Sequence, residues 1–199
     1  MVDFDIRLGL SPADLTARVV ANKRPDDWLD LSADDDPELR LILESFPGQV
    51  VNSRLFRGEK TIWVKREKIV GIAQLLRDNK ETQFNFLTDL TAVDLLKMHA
   101  PSQERFEIVY NLYSLSSYKR LRLKAIVPDG DATIDTVETI WPAANWLERE
   151  VYDLFGIIFN NHSDLRRIQM PDDWIGHPLR KDYPMGGEQV EFSFNVRKS

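Results

Sequence analysis

Two stretches in the middle of the chain alternate apolar and polar residues. Phe106, Ile108, Tyr110 and Leu112 take every second position of one, and Leu121, Leu123, Ala125 and Val127 every second position of the other. Strand side chains point to alternate faces, so the pattern predicts half-buried strands over 105–113 and 119–127. Their apolar faces coincide only if paired residue numbers sum to an odd value, because a one-residue slip turns a strand over. A four-residue loop at 114–117 meets that condition and sets Glu107 opposite Lys124, a favourable cross-strand pair.

Upstream, 49–56 and 60–65 read as a hairpin around Arg57-Gly58-Glu59, where glycine takes a positive φ readily. Pro37 suits the first turn of a helix that carries Leu39, Ile42, Leu43 and Phe46 on one face and stops at Pro47-Gly48. Ile69, Ile72, Ala73 and Leu76 have helical spacing, so 67–78 predicts a second helix. The apolar stretch 84–96 predicts a strand followed by a short turn or strand. Helical signals return over 134–155. Asp135 can cap a first short helix, Pro142 suits the start of a second, and Gly156 suits its end. On that second helix Ala144, Leu147, Val151, Leu154 and Phe155 form the expected buried stripe. Glu148, Arg149, Glu150 and Asp153 fall on the remaining surface, and Arg149 and Asp153 can pair there.

After Gly156 regular periodicity stops. Residues 157–199 contain Pro171, Pro178 and Pro184, yet also Ile157, Ile158, Phe159, Leu165, Ile168, Met170, Trp174, Leu179, Tyr183, Phe192 and Phe194. Structureless loops longer than about 15 residues are uncommon inside compact domains. An arm this apolar must bury its side chains, and the expected shelter is another polypeptide. The reading is therefore a weakly ordered acidic leader over 1–36, with one short helix after Ser11-Pro12, a domain over 37–156, and a partner-binding arm over 157–199. The domain is α+β: a mixed or mainly antiparallel sheet of four or five strands with helices packed against it, plus the extended C-terminal arm.

Composition narrows the chemistry. The 199 residues contain no cysteine, which excludes disulfides, thiolate zinc sites and cysteine-ligated iron–sulfur clusters in this chain. Of the net charge of −6, residues 1–40 supply −5, with ten acids against five Lys/Arg, so Asp34-Asp35-Asp36 reads as a solvated run. No basic stripe suggests nucleic acid. No apolar run approaches the roughly 20 residues of a membrane span. The first residues resemble neither a secretory signal nor a transit peptide, so a bacterial cytoplasmic setting is expected. Neither G-x-G-x-x-G nor a Walker pattern occurs, so no NADH site is expected, and no G-x-S-x-G supports a serine hydrolase. His162, Asp164, His177 and Asp182 are conceivable ligands of a metal hydrolase, but they lack H-x-x-x-H spacing, and structural use of both histidines is the stronger reading.

The run Asn145-Trp146-Leu147-Glu148-Arg149-Glu150-Val151-Tyr152-Asp153-Leu154-Phe155-Gly156-Ile157 resembles the signature of the 30-kDa-subunit family, the C subunit of respiratory NADH:quinone oxidoreductase (complex I). His162, Asp164-Leu165-Arg166-Arg167-Ile168, Trp174 and Gly176-His177-Pro178-Leu179-Arg180-Lys181-Asp182-Tyr183-Pro184 continue the likeness. So do Phe86-Leu87-Thr88-Asp89-Leu90 and Arg105-Phe106-Glu107-Ile108-Val109-Tyr110 upstream. It covers roughly 40–185 in order and spacing. Ser163 departs from the family's usual proline after the histidine, and the chain ends soon after Phe194, where many relatives run longer. The resemblance implies a non-catalytic structural subunit of the hydrophilic arm of a proton-translocating enzyme, peripheral on the cytoplasmic side of a bacterial inner membrane. It implies no cofactor in this chain, with flavin and iron–sulfur clusters in partner subunits. Expected partners are a hydrogenase-large-subunit-like chain at the quinone site and a small-subunit-like iron–sulfur chain. The expected contact residues are Glu148, Arg149, Glu150, Asp153, His162, Arg166, Arg167, Trp174 and the run His177, Pro178, Leu179, Arg180, Lys181, Asp182 and Tyr183. The same module also resembles parts of membrane-bound hydrogenases and other quinone-linked dehydrogenases.

Overall fold

The computed structural model describes residues 28–33, 36–96, 98 and 104–184. The expected helix after Ser11-Pro12, the residues Asp34-Asp35, and Phe192 and Phe194 lie outside the described residues. Among those described, β1 (Trp28–Asp30), β2 (Val50–Phe56), β3 (Glu59–Lys65), β4 (Phe86–Asp94), β5 (Phe106–Tyr113) and β6 (Arg120–Val127) form one sheet. Its order is β1-β2-β3-β6-β5-β4. Every neighbouring pair is antiparallel except β3 and β6. The sheet is thus mixed and mainly antiparallel, as expected, built on five long strands. The sixth is a three-residue edge strand inside the stretch assigned to a weakly ordered leader. Helices α1 (Pro37–Ser45), α2 (Ile69–Asp78) and α3 (Ala144–Phe155) accompany it, with a parallel ribbon of β7 (Thr133–Asp135) and β8 (Ile158–Asn160).

Local chemistry accounts for most boundaries. Asp36 caps α1 by accepting from Leu39 N–H at 2.9 Å, with Pro37 at the first helical position. The β2–β3 turn is shorter than expected. Arg57 (φ 51°) and Gly58 (φ 81°) form a two-residue loop with both φ positive, the form that suits strand twist, and Glu59 already belongs to β3. A single 3-10 turn (Arg66–Lys68) leads into α2, and within 84–96 the strand 86–94 is followed by a turn at Leu96, as expected.

The β5–β6 pairing keeps the expected parity but shifts by two residues. Phe106 faces Val127, Ile108 faces Ala125, Tyr110 faces Leu123 and Leu112 faces Leu121. Glu107 stands opposite Ile126 rather than Lys124, because the loop runs from Ser114 to Lys119, closed by Ser114 N–H to the Lys119 carbonyl at 3.0 Å. Lys124 still reaches Glu107 diagonally at 2.8 Å. The helix-facing side of the sheet and the apolar stripes of all three helices merge into one core, with Ile42, Ile72, Leu76, Ile108, Tyr110 and Val151 at its centre. Each such side chain contributes about 1.5–3 kcal/mol by leaving water.

Two expectations about 134–160 are corrected. Asp135 caps no helix; it lies in β7, paired to Asn160, so the residues before α3 form a strand and turns. Ile157 and Phe159 are fully buried in the same core, so the domain does not stop at Gly156. They alternate with exposed Ile158 and Asn160, a two-residue period too short to register in the sequence.

Candidate functional site

The arm is short of regular structure, but its described part lies against its own domain, held by three sets of polar contacts. The first is at the end of α3. A helix leaves the carbonyls of its last turn without intrahelical partners. Here Gly156 N–H takes the Tyr152 carbonyl, His177 Nδ1 donates to that of Asp153 at 2.9 Å, Leu179 N–H to that of Leu154 at 3.0 Å, and Arg180 Nε to that of Phe155 at 2.6 Å. The run His177-Pro178-Leu179-Arg180 therefore works as a helix cap. Gly156 (φ +72°) permits this close approach, since a Cβ there would stand 2.5 Å from the His177 ring.

The second set centres on Asp153, which is fully buried. Its carboxylate accepts from Arg167 Nη1 at 2.7 Å and from the backbone N–H groups of Ile168, Gln169 and Met170 at 2.7–3.0 Å. Burial pushes its pKa up, but the three N–H groups and the guanidinium outweigh that and hold it below the ordinary 3.8. Arg167 also donates to the Gly176 carbonyl at 3.1 Å, tying two parts of the arm together. The third set is a hub at Arg105, a residue outside the predicted contact set. Arg105 contacts Asp94 at 3.0 Å, Asp129 at 3.0 Å and Asp182 at 2.6 Å, and Lys181 N–H donates to Asp94 at 2.8 Å.

A fourth polar cluster lies inside the domain. Glu148, 0% exposed, accepts from Thr136 Oγ1 and from Val137 N–H at 2.9 Å. Burial pushes its pKa up to about 7 against those two hydrogen bonds, and the Glu138 carboxylate adds to the rise. His162 Nε2 lies 3.0 Å from the Asn145 carbonyl, while Nδ1 accepts from Asp164 N–H at 3.0 Å, a pair of contacts that selects the Nε2–H tautomer.

The predicted contact residues therefore divide. Glu148, Asp153 and His162 point inward, which corrects the expectation that Glu148 and Asp153 occupy the helix surface; Leu147 and Leu154 are only half-buried in their place. Arg149 does not pair with Asp153. It donates to the carbonyls of Arg166 and Arg167 and lies over the Trp146 ring. Glu150 takes Gln169 Nε2 at 2.9 Å. Tyr183 closes over Gly176, whose φ is +90°. Arg166 pairs with Asp164 on the outside. The surface left by this folding carries Trp146, Ile168, Ile175 and Leu179, with Ile175 90% exposed. Trp174 Nε1 is buried with no hydrogen-bond partner among the described residues. His162, Asp164, His177 and Asp182 are spent on separate contacts, and among the described residues no group of three His, Asp or Glu side chains is placed to hold a metal ion.

Fold and latches together define an α+β subunit module with a pinned arm that turns apolar side chains outward. The chain belongs to the family described as respiratory-chain NADH dehydrogenase, 30 Kd subunit, which it matches over residues 62–189. The C subunit of NADH-quinone oxidoreductase from Geobacter sulfurreducens is 57% identical over 148 residues, 74% of this chain and 88% of that protein. The protein of the same name from Roseiflexus sp. is 42% identical over 165 residues, 83% of this chain and 92% of the relative. Among solved structures, the trypsin-resistant fragment (1-134) of Nqo5 is 37% identical with a TM-score of 0.52, covering 64% of this chain and 99% of that one. A chain of the membrane-bound sulfane sulfur reductase, an archaeal respiratory membrane complex, is 25% identical with a TM-score of 0.60, covering 81% and 96%.

Proposed function

We propose that this chain serves as the C subunit of a proton-translocating NADH:quinone oxidoreductase, a structural part of its hydrophilic arm beside the quinone site. The observation that carries this reading is the family match over 62–189 together with 57% identity, across most of both chains, to the Geobacter sulfurreducens protein. It supports electron transfer from NADH to quinone by holding neighbours in register and has no catalytic centre of its own. Flavin and iron–sulfur clusters belong to partner subunits, in keeping with a sequence without cysteine. No described helix is long and apolar enough to cross a membrane. In this reading the chain is peripheral on the cytoplasmic face and attaches through the complex.

The partners are the hydrogenase-large-subunit-like quinone-site chain and the small-subunit-like iron–sulfur chain. Contact is made by the exposed residues of the pinned arm, Ile175 and Leu179 among them. The similarity to a chain of the sulfane sulfur reductase favours a second reading, the equivalent subunit of a complex with another electron donor. Purification from native membranes through a tag on this chain tests both. Recovery of those two partners with flavin-binding input subunits is expected; a nickel-binding large subunit and no flavin chain selects the second reading. NADH oxidation, quinone reduction or stoichiometric metal in the isolated chain overturns both.

A further inference from the structure

The side of the sheet turned away from the described helices holds a groove of about 440 Å³ that no contact of the described arm uses. Phe86, Tyr113 and Arg120 form one cross-strand row, the register placing Phe86 opposite Tyr113 and Tyr113 opposite Arg120. The next row holds Asp89, Asn111 and Arg122. Arg122 is engaged, by Glu59 at 2.8 Å and by Asn111 at 3.3 Å. Arg120 and Asp89 have no charged or hydrogen-bonding partner among the described residues. Beside the groove, the 114–119 loop turns Leu115 and Tyr118 outward, 56% and 80% exposed, next to Phe86 at 47%. That loop is already set: Leu115 N–H donates to Asn85 Oδ1, Ser116 Oγ to Gln83 Oε1 and Tyr118 N–H to the Ser114 carbonyl.

We propose that this groove is a second protein-docking site, taking an extended segment of another subunit that carries a carboxylate beside an apolar side chain. The carboxylate seats on Arg120 and the apolar group on Phe86 and Tyr113, an aromatic and arginine composition typical of residues that dominate interface energy. Glu59 is neutralised by Arg122, and Lys60 by Asp36 and Glu38. Among the described residues the groove thus offers one unpaired cation, Arg120, with the unpaired Asp89 in the next row. That balance suits a single carboxylate rather than a polyanion such as nucleic acid or an anionic lipid surface. Because the loop and strands are preformed, binding orders little of this chain. The groove lies at the opposite end of β4 from the Asp94–Arg105 hub, about 27 Å away at the usual rise of a strand. With the arm at one end and the groove at the other, the chain bridges two neighbours. This inference rests on the proposed function, which supplies the other subunits.

Replacing Phe86 by the photo-reactive p-benzoylphenylalanine in the full complex tests it. The expected product is a cross-link to another subunit within a few residues of an Asp or Glu. Its yield should fall at least five-fold with Arg120→Glu and stay within two-fold with Arg120→Lys. A cross-link to residues 1–27 of the same chain, to a second copy of it, or to a segment without an acid overturns the proposal. An assembled complex in which the probe stays silent overturns the groove alone, whereas a chain that purifies with no other subunit overturns the proposed function as well.

Discussion

The Asp153 carboxylate lies 2.7 Å from Arg167 Nη1, and it is the buried point on which three successive arm N–H groups converge. Asp153→Ala leaves that guanidinium and those N–H groups facing a cavity. Breaking a buried, hydrogen-bonded charge in this way costs about 3–5 kcal/mol. Urea denaturation of the variant should show the loss, and trypsin should cut at Arg166 and Arg167 sooner. The sign of the pH dependence follows from a pKa depressed below 3.8. The contribution is complete above the unfolded value and disappears as pH falls through the lower folded one, so acid should destabilise the wild type more steeply than Asp153→Asn.

Glu148 predicts the opposite slope. Its folded pKa, pushed up to about 7, exceeds the ordinary 4.5, so the folded state binds the extra proton between those values. The associated stability is present below pH 4.5 and is lost as pH rises to about 7, a change on the order of 3 kcal/mol from the linkage relation. Glu148→Gln carries no charge to bury and should be at least as stable as the wild type at pH 8. Denaturation midpoints measured from pH 5 to 8 check this; equal slopes for the two proteins would show that the buried carboxyl does not titrate there.

Much of this was readable in advance. The β5 and β6 faces, the Pro37 start of α1 and the Gly156 stop of α3 rest on local periodicity and caps, which sequence carries directly. The misjudged positions depend on what lies across space. Glu148 and Asp153 read as surface because a charged helix face is usually solvated, and nothing local says that Val137 or Ile168 will bring an N–H to them. Asp94 and Arg105 flank a strand connection, and Asp182, which Arg105 holds, is 77 residues beyond it. The run from His177 to Arg180 was legible as a motif through family resemblance, but its work as a cap on α3 appears only once the helix end is in place.

Arg105 should behave as a structural hub. Asp94, fully buried, is held below its ordinary pKa because Arg105 and the N–H groups of Lys181 and Leu96 outweigh the effect of burial. Arg105→Met strands that carboxylate and releases Asp129 and Asp182. The expected loss is about 3–5 kcal/mol. Asp94→Asn in the same chain should recover part of it, since the charge left unpaired is then gone. Urea denaturation of the wild type and the two variants measures the recovery, and none would place the energy elsewhere.

The closeness of Gly156 to the arm gives a narrower test. Gly156→Ala forces an L-residue to φ +72°, about 1–2 kcal/mol from the backbone alone. Its methyl group also meets the His177 ring and Arg180 Nη2, so the cap on α3 must shift. Thermal denaturation should show the lowered midpoint, and cleavage at Arg180 and Lys181 should accelerate, because the arm rather than the sheet carries the damage.

Where the chain is cut should separate the domain from the arm. A truncation after Gly156, the domain boundary read from the sequence, removes Ile157 and Phe159, both fully buried. Losing a buried phenylalanine and isoleucine costs about 3–5 and 2–5 kcal/mol respectively, comparable to the whole stability of a domain this size. A truncation after Asn160 keeps both side chains and the β7–β8 pairing, and removes the polar latches with the half-buried Leu165. Circular dichroism should therefore show a folded, destabilised protein for the longer fragment and a largely unfolded one for the shorter. Equal stability of the two would mean that β8 contributes nothing to the core, and that Phe159 is not the anchor its burial makes it.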